Sequence, residues 1–458
     1  METKRVPGSF RDPSGFLFWR DGTLYRQVNP FYREDYDRLM ESGLYDTLVG
    51  KDLLVPHEEV DVQPAEPGAY RIIRPEPIRF ISYPYEWCFS QLKDAALLTL
   101  RLQKEALEKD LSLKDASAYN VQFQAGQPVF IDTLSFEEYQ EGQPWIAYGQ
   151  FCQHFLAPLA LMSYTDVRLG RLFRVHLDGV PLDLASTLLP ARTYLSFSLL
   201  THIHFHSKGQ ERYADVSDSE EISHREVGRT QLLGIIDNLE SAIEGLTWEP
   251  EGTEWANYYE DTNYSPDAFD EKEAFVAESV QAAETDVVWD LGANTGRFSR
   301  IAAEEGAYTL AFDVDPAAVE KGYQTCRESD MEKVLPLVLD LANPSPGIGW
   351  ANDERESLIN RGPADLILAL ALVHHLAISN NVPLPKLAGF LSEICQTLVI
   401  EFVPKEDSQV ERLLVTREDI FDNYTQDCFE EAFRRHFIFR EVKEVPNSKR
   451  TLYRMSRR

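Results

Sequence analysis

The chain has 458 residues, of which 43% are hydrophobic, 11% aromatic and 26% charged. That composition builds large apolar cores, excludes an intrinsically disordered chain, and at this length suits two or three domains. A formal net charge of -30 repels phosphate backbones and anionic membranes, so neither nucleic acid nor a membrane surface is an expected partner.

The first predicted element is a hairpin. GFLFWR and TLYRQV flank Asp21-Gly22, a pair suited to a type I′ turn. A helical stretch from Asp35 to Ser42 stops at Gly43. AYRII and IRFI are short strand candidates set apart by Pro75 and Pro77. From Trp87 to about Lys109 the apolar spacing of Leu92, Ala95, Ala96 and Leu100 predicts a long helix.

LKDASAYNVQFQAGQPVFID follows at 113 to 132. Asp115, then Asn120, then Asp132 after an apolar run is the order of a kinase catalytic loop and its metal-binding acid. This part resembles aminoglycoside-phosphotransferase-like kinases. It departs from them in three ways. Leu113 stands where the usual His would be, no glycine-rich phosphate loop precedes it, and no Val-Ala-x-Lys strand lies upstream. The other reading is a plain hairpin joined by Gln-Ala-Gly-Gln.

Further helices run through 145 to 164 and 184 to 205. His202, His204 and His206 in HIHFH, with His154 more distant, read as hydrogen-bonded surface histidines, and a metal site is not indicated. The polar stretch at 207 to 226 reads as a linker or surface loop. A helix with Leu232, Ile235, Ile236, Leu239 and Ile243 on one face comes next. The aromatic, acidic run that follows holds Trp255, Tyr258, Tyr259 and Tyr264, either a lid over a site or a packed surface helix.

Beyond residue 272 strands and helices alternate: VVWDL, TGRFSRIAAEEG, YTLAFDVD, AAVEKGYQTCRES, VLPLVLDL, ADLILALAL, KLAGFLSEIC and TLVIEFV. That alternation predicts an α/β, doubly wound parallel sheet. IFREVKEV and RTLYRMS form an antiparallel closing pair, its end carrying the basic KRTLYRMSRR. The expected organisation is an N-terminal α+β domain over 1–210, a linker and helix over 211–254, and an α/β domain over 255–458. No period of 20 to 50 residues repeats.

VVWDLGANTGRFSRIAAEEG carries the strongest chemical signal. Gly292 and Gly296 sit in the turn between a strand and a helix, where backbone can approach a ligand and unpaired N–H groups point outward. The spacing departs from the dinucleotide G-x-G-x-x-G. Asp290 ahead of the first glycine would repel a pyrophosphate but can receive an ammonium. Asp313 ends the next strand, about 20 residues on, where a carboxylate accepts ribose hydroxyls. Asp340 ends the third.

With three acids at three strand ends, residues from about 255 to 458 resemble a class I S-adenosylmethionine (SAM)-dependent methyltransferase with a Rossmann-like sheet. The resemblance implies SAM as cofactor. Asp290, Gly292, Ala293, Asn294 and Gly296 would hold its methionine part, Asp313 its ribose, and Asp340 with Leu341 its adenine. Lys272 is a candidate partner for the cofactor carboxylate, and Trp350 either a cover for the adenine or a core residue. The whole chain also resembles bacterial methyltransferases related to the nodulation protein NoeA, through ISYPYEWCFSQLKDAALL, PVFIDTLSFEEY and LALVHHLAI. This implies methyl transfer and nothing about the acceptor; a small-molecule or glycan-type acceptor, methylated on oxygen or nitrogen, is a separate expectation. His374 and His375 after the fourth strand, and Glu401 at the fifth, are candidate catalytic bases; capping or packing is the other reading of the histidines.

Five cysteines, far apart and without a CxxC, argue against a disulfide framework or zinc site. The N-terminus has no apolar signal core, and LILALALV is too short to span a bilayer. The expected location is the cytoplasm.

Overall fold

The computed structural model describes residues 3–205, 227–251, 266–415 and 418–458. The chain forms two units. One is Met1–Glu249 together with Ile348–Arg355; the other is Pro250–Gly347 with Glu356–Arg458.

The first unit starts with the expected hairpin. Gly15–Arg20 pairs antiparallel with Thr23–Val28, and the turn residues Asp21 and Gly22 have φ of 49° and 78°, as a type I′ turn requires. Thr3–Arg5, Arg71–Pro75 and His57–Glu59 extend it to a five-stranded sheet. IRFI is not a strand. Pro77 has no ladder N–H to give, and Phe80 is buried as part of a loop. The long helix runs Phe89–Leu107 and buries Leu92, Ala95, Ala96 and Leu100. A short strand, Leu111–Leu113, precedes the loop with Asp115 and Asn120; the hairpin Val121–Gln124 and Gln127–Phe130 follows.

Helix Arg229–Gly245, expected within the linker, packs with the first unit. Lys104 of the long helix reaches its Asp237 at 2.8 Å and Glu240 at 2.6 Å. HIHFH lies in a helical turn, and His202 and His204 are buried rather than on the surface. His202 meets Tyr148 at 2.6 Å and Asn238 at 2.8 Å, and His204 meets Ser186 and Thr193. His154, also buried, is bonded by the Ala118 N–H. Each ring thus has its own polar partners. His206, the 207 to 226 stretch and the aromatic run at Trp255, Tyr258, Tyr259 and Tyr264 lie outside the described residues.

The second unit is built on seven strands, numbered here β1 (Val287–Leu291), β2 (Tyr308–Asp313), β3 (Val334–Val338), β4 (Ala364–Ala369), β5 (Cys395–Phe402), β6 (Phe437–Glu444) and β7 (Thr451–Arg457). Their order is β3-β2-β1-β4-β5-β7-β6. β1 to β5 are parallel; β7 and β6 add antiparallel, as the terminal pairing predicts. Sheet order reverses at β1, so the loops after β1 and β4 diverge and leave a crevice at their carboxyl ends. The strands are apolar on both faces because helices cover both. Val288, Leu366, Leu368 and Val399 pack on one face against Phe275, Val276 and Val280 of helix Pro266–Ala283. On the other face Leu291 and Ala369 line a small cavity together with Leu387 of helix Leu384–Ile394.

Candidate functional site

The turn after β1 is shaped by its backbone. Gly292, Asn294 and Gly296 have φ of 76°, 53° and 81°, a region that side chains with a Cβ rarely enter. The N–H groups of Gly292 and Ala293 both bond the Phe312 carbonyl at 2.9 Å, which ties the turn to the end of β2. Gly296 then starts helix Arg297–Glu304.

These elements enclose a cavity of about 380 Å³ at the carboxyl end of the sheet. Among its walls are Lys272, Asp290, Gly292, Asn294, Asp313, Asp340, Leu341 and His375. The volume lies within the ~300–1,000 Å³ usual for small-molecule sites. Four of the sequence candidates lie off its surface. Ala293 is buried against Ala311, Cys326 and Val334, and Gly296 serves as the helix cap. His374 is 2% exposed, lies against the His375 ring with centroids 4.1 Å apart, and its Nδ1 makes no hydrogen bond. Glu401 is fully buried behind Lys272.

The acids differ in how they are held. Asp290 Oδ2 accepts a bond from the Ser299 hydroxyl at 2.6 Å. Burial dominates its environment and pushes its carboxyl up to about 7. Asp313 accepts from the N–H groups of Asn294 (2.7 Å) and Asp315 (2.9 Å). Burial still outweighs those donors and lifts it to about 6. Asp340 is half-buried, two residues past β3, and accepts from the Ala342 N–H.

Lys272 and Glu401 form a buried ion pair at 2.9 Å. Glu401 Oε2 also accepts the Ala371 N–H at 2.8 Å, and the guanidinium of Arg450 is 3.8 Å from Oε1. Arg450 is clamped by Asp407 at 2.7 and 2.9 Å. This arrangement departs from the expectation that Glu401 faces an acceptor: its oxygens are engaged inside the fold. It also fixes the turn after β4, where Ala371 holds a φ of 50°. Burial lowers the Lys272 ammonium from its ordinary value despite Glu401. Burial likewise brings His375 to about 4 and His374 well below the usual imidazole range.

Sequence reasoning missed the apolar walls, Phe269, Leu370, Leu372, Leu376 and Leu413 among them. The acidic turn and alternation locate the crevice, but an apolar wall carries no motif. Trp350 is 75% exposed and falls in the segment that belongs to the first unit. Core packing does not describe it. No group of three or more His, Cys, Asp or Glu side chains is placed to hold a metal ion among the described residues. No described helix is long and apolar enough to cross a membrane.

In the first unit the kinase-like acids are engaged within the fold. Asp115 accepts from the Ser117 N–H at 3.0 Å and the Gln150 amide at 2.7 Å. Asp132 is ion-paired with Arg26 of the second hairpin strand and caps the Leu134 N–H. Asn120 closes a short helical turn, and its carbonyl accepts the Ile131 N–H at 2.8 Å.

No family model matches the chain. Among solved structures it is similar to the bifunctional kinase-methyltransferase WbdD, at 16% identity over 41% of this chain and 38% of that one, with a TM-score of 0.28. It is also similar to magnesium protoporphyrin IX methyltransferase (ChlM) from Synechocystis PCC 6803 with bound SAM, at 15% identity over 44% of this chain and 89% of that one, TM-score 0.30. These likenesses cover less than half of this chain. The chain is 36% identical over 471 residues to the nodulation protein NoeA of Rhizobium meliloti (strain 1021), covering 99% of this chain and 96% of that one. That likeness runs the length of both chains, and this chain belongs to the NoeA family.

Proposed function

We propose that the second unit is a SAM-dependent methyltransferase acting on the oxygen or nitrogen of a small-molecule or glycan-type acceptor in the cytoplasm. One observation carries the reading. Three acids from the ends of β1, β2 and β3 line one cavity, and burial leaves two of them short of compensation. A ligand with an ammonium and vicinal hydroxyls supplies what those two carboxylates lack.

The residues fit that cofactor. Asp290 receives the ammonium, Asp313 the ribose hydroxyls, and Asp340 with Leu341 the adenine end. Lys272, held by Glu401, presents its ammonium to the cofactor carboxylate. When bound, SAM supplies an electrophilic methyl group on a sulfonium. Transfer would leave S-adenosylhomocysteine as the product of the broken carbon–sulfur bond. The chain's own work is positioning and water exclusion. Leu370, Leu372 and Leu376 keep the reacting region apolar. His375 lines the cavity and is neutral because burial holds it near 4, so its ring orients a hydroxyl or amine acceptor by accepting a hydrogen bond, and the released proton passes on to solvent.

The alternatives are a bifunctional kinase-methyltransferase, or a scaffold with a kinase-like first unit. The order of long helix, short strand, acidic loop, hairpin and Asp132 favours kinase-like descent. The Arg26 pair speaks against activity, since it already neutralises the acid that would hold magnesium. Isothermal titration with SAM and with ATP tests all three. SAM binds and ATP does not if the proposal holds; absence of SAM binding sinks it.

A further inference from the structure

A second cavity of about 220 Å³ lies in the same unit and shares Leu341, Leu372 and Leu376 with the larger one. Ala369 of β4, with Leu387 and Phe390 of helix Leu384–Ile394, is among its other walls. The lining is apolar apart from one residue, Lys386. The polar groups assigned to the cofactor, Asp290, Asp313, Asp340 and Lys272, all line the larger cavity, and Leu341, Leu372 and Leu376 are the walls the two spaces share. The sulfonium, ribose and amino acid end gain nothing from the remaining walls, and the ring nitrogens and amino group of an adenine would find no partners there, because buried polar groups need them. The same reasoning turns away a sugar, whose hydroxyls would lose water and find no donors or acceptors.

The charge at the rim narrows the choice. Lys386 is exposed, and no acidic side chain lies within ion-pairing distance of it among the described residues. It stands in the first turn of its helix, where the backbone dipole is already positive and a lysine is unfavourable. An anion there relieves both charges. The chain's net charge of -30 opposes anions in general, so an anion is held only where a local cation offsets that field, as Lys386 does at this rim. Apolar cavities of about 150 Å³ are dry and take benzene. This chamber is somewhat larger and suits a chain or ring of roughly ten heavy atoms.

We propose that the chamber binds a compact apolar anion, an aliphatic or aromatic acid, and that this ligand is the body of the methyl acceptor. The second clause rests on the methyltransferase reading; the first stands without it. Between a small molecule and a glycan as acceptor, the chamber selects the apolar small molecule.

The test is isothermal titration of the full chain with octanoate, octanol and maltotetraose, with and without S-adenosylhomocysteine. Octanoate binds, octanol binds about tenfold more weakly for want of the charge, and maltotetraose does not bind. Leu387→Trp fills the chamber and weakens octanoate at least about tenfold. Lys386→Glu, on an exposed side chain that no fold contact depends on, weakens octanoate about tenfold and leaves octanol unchanged. Neither variant alters the affinity for S-adenosylhomocysteine. The proposal is overturned by wild-type protein that does not bind octanoate, by octanoate affinity that Lys386→Glu leaves unchanged, or by maltotetraose binding that Leu387→Trp removes. Failure of the methyltransferase reading is a separate result: S-adenosylhomocysteine gives no heat while octanoate still binds.

Discussion

Asp132 of the first unit and Asp290 of the other are alike in sequence, each an acid closing an apolar strand. The structure gives them opposite surroundings. Burial pushes the Asp132 carboxyl up, but Arg26 and the Leu134 N–H outweigh it and hold the group below its ordinary value. Asp290 has the Ser299 hydroxyl, and its nearest cation, Lys272, is tied to Glu401. There burial wins and the carboxyl rises to about 7. A buried acid whose charge the fold itself balances is part of the scaffold. One left unbalanced and facing a cavity is prepared for a ligand that brings the missing charge or donors.

Substitution separates the two kinds of acid. Asp132→Asn leaves the buried Arg26 guanidinium with only Asp12, at 3.4 Å, as a carboxylate partner and costs about 3 kcal/mol of first-unit stability, the low end for a broken buried pair. Urea denaturation reads this as an earlier first transition, and SAM affinity stays unchanged. An unchanged melt would mean that the pair does not balance the acid. Asp313→Ala has the reverse signature. It removes the acceptor for the Asn294 and Asp315 N–H groups and, in the proposed methyltransferase, for the ribose. SAM affinity falls about 100-fold, or roughly 2.7 kcal/mol, in a titration. Retained affinity would mean that the carboxylate faces no ligand.

The same contrast shows what the sequence could reveal. Asp290, Gly292, Asn294, Asp313, Asp340, Leu341 and His375 sit at or just after strand ends. Once alternation predicts a parallel sheet, their convergence on one cavity follows from topology. The Lys272–Glu401 pair is not legible in the sequence, because 129 residues separate its members. Taken singly, one resembles a cofactor ligand and the other a base; only the fold shows that each answers the other's charge. Asp132 and Arg26, 106 residues apart, conceal their pairing in the same way. Helix Arg229–Gly245 is legible as a helix but not in its place, since Asp237 and Glu240 find Lys104 only through packing. HIHFH misleads because alternation of one residue type suggests a surface, whereas His202 and His204 are buried with their own polar partners.

Protons give the finest division. The raised values of Asp290 and Asp313 mean that the free fold holds protons that the unfolded chain releases near 3.8. Their contribution to stability is therefore full below that value and lost as pH rises through about 6 and about 7. Binding runs the other way. An ammonium at Asp290 favours the ionised form, so binding releases protons and tightens as pH rises. Between pH 6 and pH 7.5, SAM affinity increases on the order of tenfold, most of it from Asp290. Asp290→Asn mimics the protonated acid at every pH. It costs about tenfold at pH 7.5, only about twofold at pH 6, and leaves only the roughly twofold dependence due to Asp313. Titrations of wild type and variant at the two pH values measure this directly. A variant as pH-dependent as the wild type would move the titrating group elsewhere. Asp290 would then join Asp132 among acids whose charge the fold has already balanced.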